Sequence, residues 1–409
     1  MFSCLPWSLP RLIFVPPVQA LAEGFQVDWA PLMYMDTEDS KQLLNEVRRF
    51  ARERIAGMAA RPESPINADQ LTLLTQEACE LGILPLATAD DGFSIWEHSN
   101  VAQAMSFNTG ALRHIAYASP GVAFAWHRLA LARFVCVQLG LAFETNVQQG
   151  MLLVPTGHYG LARNSLGKWL KAHALSAEDK DMLSDWLDRS VNATTIYAPK
   201  DWKSLVWPVW SDDQIAWRYV ERKELDVSSG NAQHGFDELA GFAVRQPSTA
   251  GKAIKLDPDA SRSTYASMFK LDVLGLLSIG AGALDRGQAL ARDYAGIRKQ
   301  GGKVIAEHPA VQHMLSDIEI ARHNVDMALA AFSQPVDELD VGTIAAARAS
   351  LSPALCQAAN QVVQVHGGIG YMRDAGPEKL VRDQNMLKLI AGGTREIHAF
   401  LAGWTGASV

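Results

Sequence analysis

The stretch from roughly Tyr265 to Ile297 constrains this chain more than any other feature, because it reads as one long helix with apolar residues at helical spacing. Gly275, Gly280 and Gly282 sit inside it. Glycine costs helix stability, so their presence predicts close approach of another helix or of a ligand. Pro309 opens the next helix, whose stripe is Val311, Met314, Leu315, Ile318, Val325 and Phe332. A third helix starts near Thr343, carries Ile344, Leu351, Leu355, Val362 and Val365, and stops at Gly367-Gly368. Long antiparallel helices with short connections predict a C-terminal helical bundle over residues 263–409.

Upstream the texture changes twice. Residues 36–150 read as an N-terminal helical domain. Asp36 can cap a first helix carrying Leu43, Leu44, Val47, Phe50 and Ile55. A second runs from about Asp69 to Leu81 with Gly82 as its stop, and a third from Asn100 to Phe107. Ser119-Pro120 starts a fourth, which reaches about Gln138 and ends at Gly140. Residues 151–262 read as a middle β-rich domain with a helical insert at 165–190. Its β-type runs are Thr194–Ala198, Leu205–Trp210, Ile215–Val220 and Gly241–Arg245. Six of the eleven tryptophans lie between Trp169 and Trp217. They read first as core of a small sheet and second as the wall of a ligand pocket. The fold class expected is mainly α with a small central β-domain.

Totals narrow the function classes. A length of 409 residues suits two or three domains. The formal net charge of -7 and the lack of a basic block argue against nucleic acid or an anionic membrane surface as partner. Cys4, Cys79, Cys136 and Cys356 are far apart, with neither zinc nor CxxC spacing, so reduced thiols in the cytoplasm are expected. The histidines show no HxxxH or HExxH spacing, and no metal site is expected. No serine or cysteine nucleophile motif is present. Residues 1–35 read as a poorly ordered leader, with Met33 or Met35 as alternative starts and a cleaved targeting signal as the second reading. Its apolar run, Leu12 to Val15, is flanked by Pro6, Pro10, Pro16 and Pro17 and is too short to span a bilayer.

The segment most informative about chemistry is Gln364-Val365-His366-Gly367-Gly368-Ile369-Gly370-Tyr371. A helix that ends in tandem glycines exposes backbone where a ligand can approach without a Cβ in the way. Taken alone, this is most often only a helix stop. Its company is more specific: Arg298, Gly302, Ile305, His308, Val311 and Gln312 upstream, then Glu378-Lys379-Leu380-Val381-Arg382-Asp383 and Gly392-Gly393-Thr394-Arg395-Glu396-Ile397 downstream.

With that series of motifs the chain resembles the acyl-CoA dehydrogenases. The likeness is specific over residues 263–405 and loose over 36–150. It implies a helical domain, a middle β-domain and a C-terminal four-helix bundle, assembled as a homo- or hetero-oligomeric dimer of dimers. It also implies FAD as cofactor, an acyl-CoA thioester as substrate and an electron-transfer acceptor as partner. Arg298 and the segment Gln364, Val365, His366, Gly367 and Gly368 would grip the pyrophosphate and adenosine part of a neighbour's FAD. Arginine suits this through its bidentate fork. Thr394, Arg395 and Glu396 would lie against FAD in the same scheme.

Departures from the family pattern are as informative. Most members place the proton-abstracting glutamate two residues before the threonine of the last motif, where this chain has Gly392. Glycine cannot take a proton. Other members carry the base on the helix before the flavin arginine, and the matching position here is Asp272. Among Leu271, Val273, Leu274 and Leu276 its carboxylate is expected to be desolvated, with a raised pKa. The family's flavin strand and its W-I-T/S pair are not found in the middle domain, and Gly301 and Pro309 replace family residues near Arg298.

The first functional reading is therefore an FAD-dependent acyl-CoA dehydrogenase, acting through Asp272 or as one subunit that completes a partner's FAD site. A non-catalytic assembly subunit without flavin, and a flavin monooxygenase or acyl oxidase on the same fold, are the alternatives.

Overall fold

A computed structural model describes residues 37–84, 94–141, 150–152, 159–188, 193–230, 233–246, 253–390 and 392–406. The expected leader at 1–35, the proposed cap Asp36 and Cys4 lie outside the described residues. The N-terminal helices are α1 (Thr37–Phe50), prolonged by a π-turn at Ala51–Ile55 into α2 (Ala56–Met58), then α3 (Ala68–Glu80), α4 (Ala102–Ala118) and α5 (Pro120–Gln138). Asn67 caps α3 in a reciprocal box with Gln70, a signal passed over when the start was set at Asp69. Ser119 caps α5, with Pro120 in its first turn, as the sequence predicts.

α4 does not stop near Phe107 but runs on to Ala118. Thr109 turns its hydroxyl back onto the Met105 carbonyl, which leaves the backbone ladder intact. Beyond it Ala111, Leu112, Ile115 and Ala116 are fully buried, and that burial outweighs the weak helix preference of Asn108, Thr109 and Gly110.

In the middle of the chain come α6 (Tyr159–Leu170) and α7 (Ala177–Leu187), two helices where one insert was expected. The β-part is two three-stranded sheets. In the first, β1 (Gly150–Leu152) lies parallel to β3 (Ser204–Ser211), which pairs antiparallel with β4 (Gln214–Glu221). Asp212 and Asp213 close that hairpin with φ of 51° and 62°, the type I′ geometry that matches strand twist. In the second, β6 (Ala240–Arg245) runs between β2 (Thr194–Ala198) and β5 (Asp226–Ser229), a strand the sequence reading missed. Trp169, Trp186, Trp202, Trp207 and Trp217 are all buried, and Trp169, Trp186 and Trp217 pack around Tyr265. The indoles fill the core, as the first of the two readings had it.

The C-terminal helices are α8 (Pro258–Ile297), α9 (Pro309–Ala331), α10 (Val341–His366), α11 (Pro377–Leu389) and α12 (Thr394–Trp404). α8 begins earlier than the periodicity indicates, because Asp257 caps it with Pro258 at its first position. It is the axis of the molecule and packs against α4, α5, α9, α10 and α11. By length and composition α8 could cross a bilayer, but its apolar window is wholly buried inside the protein. The glycines do mark close approach. Gly282 faces the Arg113 carbonyl of α4, and Gly280 and Gly287 face Leu355 and Val362 of α10. Cys79, Cys136 and Cys356 are buried thiols, and burial pushes the first two up to about 11 and about 12.

Candidate functional site

The residues singled out by sequence separate into two groups, one at the C-terminal end of α8 and one well inside the helix around Asp272. At its C-terminal end, Arg298 is exposed where the helix stops, its N–H donating to the Tyr294 carbonyl. The ring of Tyr294 stacks on His366 at 4.7 Å, which joins this end of α8 to the end of α10. His366 is buried, and its Nδ1–H donates to the Val362 carbonyl at 2.8 Å. Gln364 is exposed, with Nε2 donating to the Tyr371 hydroxyl at 3.2 Å, whereas the Val365 side chain lies in the core.

Gly367 ends α10 with φ of 60°, a conformation L side chains rarely adopt. A Cβ at Gly367 or Gly368 would meet nothing within 4 Å, so the backbone there is open. An exposed guanidinium at the end of α8 and open, glycine-lined backbone at the end of α10, joined through the Tyr294–His366 stack, fit an anionic diphosphate such as that of FAD.

The other group lies about 39 Å away along α8 by helical rise. Asp272 is buried, 1% exposed, and faces α5. Its Oδ1 is 3.0 Å from His127 Nε2 and 3.0 Å from Arg128 Nη1. The arginine contact is an ion pair whose N–H bonds are not aligned for a hydrogen bond, and Asp272 Oδ2 has no hydrogen-bond partner among the described residues. On its far side His127 accepts a hydrogen bond at Nδ1 from Trp96 Nε1 at 2.9 Å. Arg128 lies over the Phe124 ring, which stacks on Phe236.

The expected rise of the Asp272 pKa is not what the structure shows. Burial pushes it up, but the Arg128 guanidinium and the His127 hydrogen bond outweigh burial and hold the carboxyl below the usual carboxylate range. The reading from sequence had only apolar neighbours along α8 to work with. The charges that decide the sign come from another helix. The His127 pKa is lowered as well: burial pulls it down, against the opposing pull of Asp272.

The segment with Gly392, Thr394, Arg395 and Glu396 is tied to the Asp272 region only indirectly. Arg348 of α10, whose charge also lowers the Asp272 pKa, donates to the carbonyls of Leu387 and Ile390 where α11 stops. Thr394 to Glu396 then form the first turn of α12, and Phe400 packs on Phe269, one turn before Asp272. Gly392 has φ of 89°. Trp96, His127 and Arg128 were not anticipated. They lie far from Asp272 in sequence, and Gly275, whose missing side chain makes room for the His127 ring, was the one available signal.

The bundle matches the family described as acyl-CoA dehydrogenase, C-terminal domain, over residues 265–402. Two relatives by sequence are a 3-sulfinopropanoyl-CoA desulfinase of Paraburkholderia xenovorans, 39% identical, and a probable acyl-CoA dehydrogenase, YngJ, of Bacillus subtilis, 34% identical. The matches cover 30% and 36% of this chain and 30% and 39% of those proteins, so the chain spans about a third of their length. By shape the match is nearly complete. The glutaryl-CoA dehydrogenase of Mycobacterium smegmatis superposes with a TM-score of 0.70 over 92% of this chain and 96% of that one, at 13% identity. The prolyl acyl carrier protein oxidase AnaB gives 0.67 over 91% and 99%, at 14% identity. The chain thus has the acyl-CoA dehydrogenase fold, mainly helical with a small central β-region. Over its C-terminal bundle the chain is similar to that family, and it carries Gly392 where the resemblance places a glutamate.

Proposed function

We propose that the protein is an FAD-dependent acyl-CoA dehydrogenase, with Asp272 as the base that takes the proton from Cα of the thioester. The observation that carries this reading is the unengaged Oδ2 of Asp272, buried on α8 where it faces α5. As the Cα–H bond breaks, the proton goes to Oδ2 and the electron pair is delocalised into the thioester carbonyl. When bound, FAD supplies the oxidant that takes the hydride from Cβ, and the acyl chain gains its double bond. A depressed pKa keeps Asp272 ionised, and so competent as a base, throughout the neutral range. Arg298 and the open backbone at Gly367 and Gly368 would hold the diphosphate of a neighbouring subunit's FAD, and Thr394 to Glu396 would lie against the FAD of this chain. Related structures named as dehydrogenases of glutaryl-CoA and butyryl-CoA support the acyl-CoA substrate class. Anaerobic titration of the flavin-loaded protein with straight-chain, branched and aryl acyl-CoAs tests this. Bleaching of the flavin band is expected, with Asp272→Asn abolishing it. A flavin-loaded protein that no thioester reduces, or an Asp272→Asn variant reduced at the wild-type rate, would sink the reading.

A second reading has this chain as one subunit of a heteromer. The two groups lie about 39 Å apart on α8, so the Arg298 end serves a site other than the one beside Asp272. The chain would then complete a partner's FAD site. Flavin content of the chain alone and when co-expressed with a paralogue decides this: full loading alone removes the need for a partner.

A further inference from the structure

We propose that His127 is the positioning residue for Asp272, that Trp96 sets its tautomer, and that together they leave Oδ2 as the oxygen offered to substrate. The inference rests on Asp272 being the base of the proposed reaction. The indole nitrogen of Trp96 can only donate a hydrogen bond. At 2.9 Å from His127 Nδ1 it requires an unprotonated nitrogen there. The ring proton is therefore on Nε2, which donates to Asp272 Oδ1 at 3.0 Å. A doubly protonated ring would set N–H against N–H at Trp96, so the histidine is held neutral inside the protein. The Trp96 and His127 rings meet edge to face, which fixes the imidazole plane as well as its proton.

Arg128 approaches the same oxygen, Oδ1. Two groups on one oxygen hold the carboxylate's orientation and leave Oδ2 without a donor among the described residues, although it is buried. Buried carboxylate oxygens are almost always paired, so an unpaired one marks a place where another group belongs. A substrate C–H delivered there meets an ionised oxygen whose partner oxygen is already anchored. The charged groups facing Asp272 are His127 and Arg128 from α5 and, at longer range, Arg348 from α10, while those facing His127 are Asp272 and Arg128. Gly275 completes the device, since a Cβ there would stand 2.2 Å from His127 Cε1.

The test begins on the full-length protein without substrate. Nitrogen NMR of labelled histidines is expected to show one ring that stays neutral from about pH 6 to 8, protonated at Nε2 and bare at Nδ1. Its loss in His127→Gln assigns it, and in Trp96→Phe it populates both tautomers. A His127 protonated at Nδ1, or cationic in that range, overturns the proposal. Steady-state kinetics with the acyl-CoA panel and a dye acceptor follow. Trp96→Phe and His127→Gln are expected to lower kcat about a hundredfold with KM little changed. The acid limb of kcat/KM is expected to move up by about one pH unit, because the carboxylate has lost a donor. If His127→Gln does not fold, Trp96→Phe carries both measurements. A wild-type acid limb in that variant removes the role of His127 while Asp272 stands as the base. Turnover that survives Asp272→Asn removes the base itself, and the positioning role with it.

Discussion

His127 and Gly275 are a matched pair on neighbouring helices, one side chain occupying the space the other leaves. Their interdependence gives a residue-scale expectation for Gly275→Ala. On an isolated helix the change gains about 1 kcal/mol from propensity. Here the new Cβ would stand 2.2 Å from the imidazole, so the ring must leave its bonds to Trp96 and Asp272 or the helices must part. A net loss of about 2 kcal/mol is expected by chemical denaturation. A stabilised variant would show that the ring moves freely. At this scale sequence reading did least well. The burial of Asp272 was legible, but the direction of its pKa was reversed by Arg128, a residue no spacing argument connects to it.

At the scale of elements, the segment joining β5 to β6 is fastened to the bundle by a buried cluster. Lys379 of α11 pairs with Asp383 on its own helix at 2.7 Å and with Glu238 of that segment at 3.1 Å. Ser119, the cap of α5, donates to Glu238 at 3.0 Å, and the Phe236 N–H donates to Asp383 at 2.7 Å. Burial pulls the Lys379 pKa down, but the two carboxylates outweigh it and raise it. Burial pushes Asp383 up, opposed by Lys379 and reinforced by Glu238. Lys379→Met would leave two carboxylates buried with no cation between them, a loss of about 3–5 kcal/mol at neutral pH. Because the folded Asp383 pKa is already raised, its protonation relieves the repulsion as pH falls. The loss measured near pH 5 should therefore be smaller than at pH 7. An equal loss at both values would exclude the cluster as its source. Lys379 and Asp383 were legible as parts of a family motif. Glu238 was not, since only the docking of the middle segment brings it to them.

For the whole molecule, two buried histidines set the acid limit. Burial holds His114 at about 4 against an ordinary value of 6.5, and His127 is lowered as well. Below pH 6.5 the unfolded chain takes up protons that the folded chain refuses, so stability falls as pH drops from 6.5 towards 4. The carboxyl of Asp272, with its depressed pKa, adds a further loss at lower pH, while Asp383 acts in the opposite sense. Melting temperature measured across that range should decline continuously, and His114→Gln should flatten part of the decline. A flat profile would mean that both rings gain protons freely in the folded state.

What the sequence by itself determined is the helical frame and the motif series on it. Periodicity, caps and glycine stops are local, and they placed α3, α5, α9 and α10 and four strands of the two sheets to within a few residues. Motif spacing showed the likeness to the acyl-CoA dehydrogenase C-terminal domain through a bundle whose registers are set by the same local rules. What only the tertiary structure decided is which helices face each other, and hence the charges around Asp272, the tautomer of His127 and the burial that carries α4 past Asn108. Those depend on contacts between residues far apart in the chain. The energy of a buried charge follows from its neighbours in space, which a linear pattern does not specify.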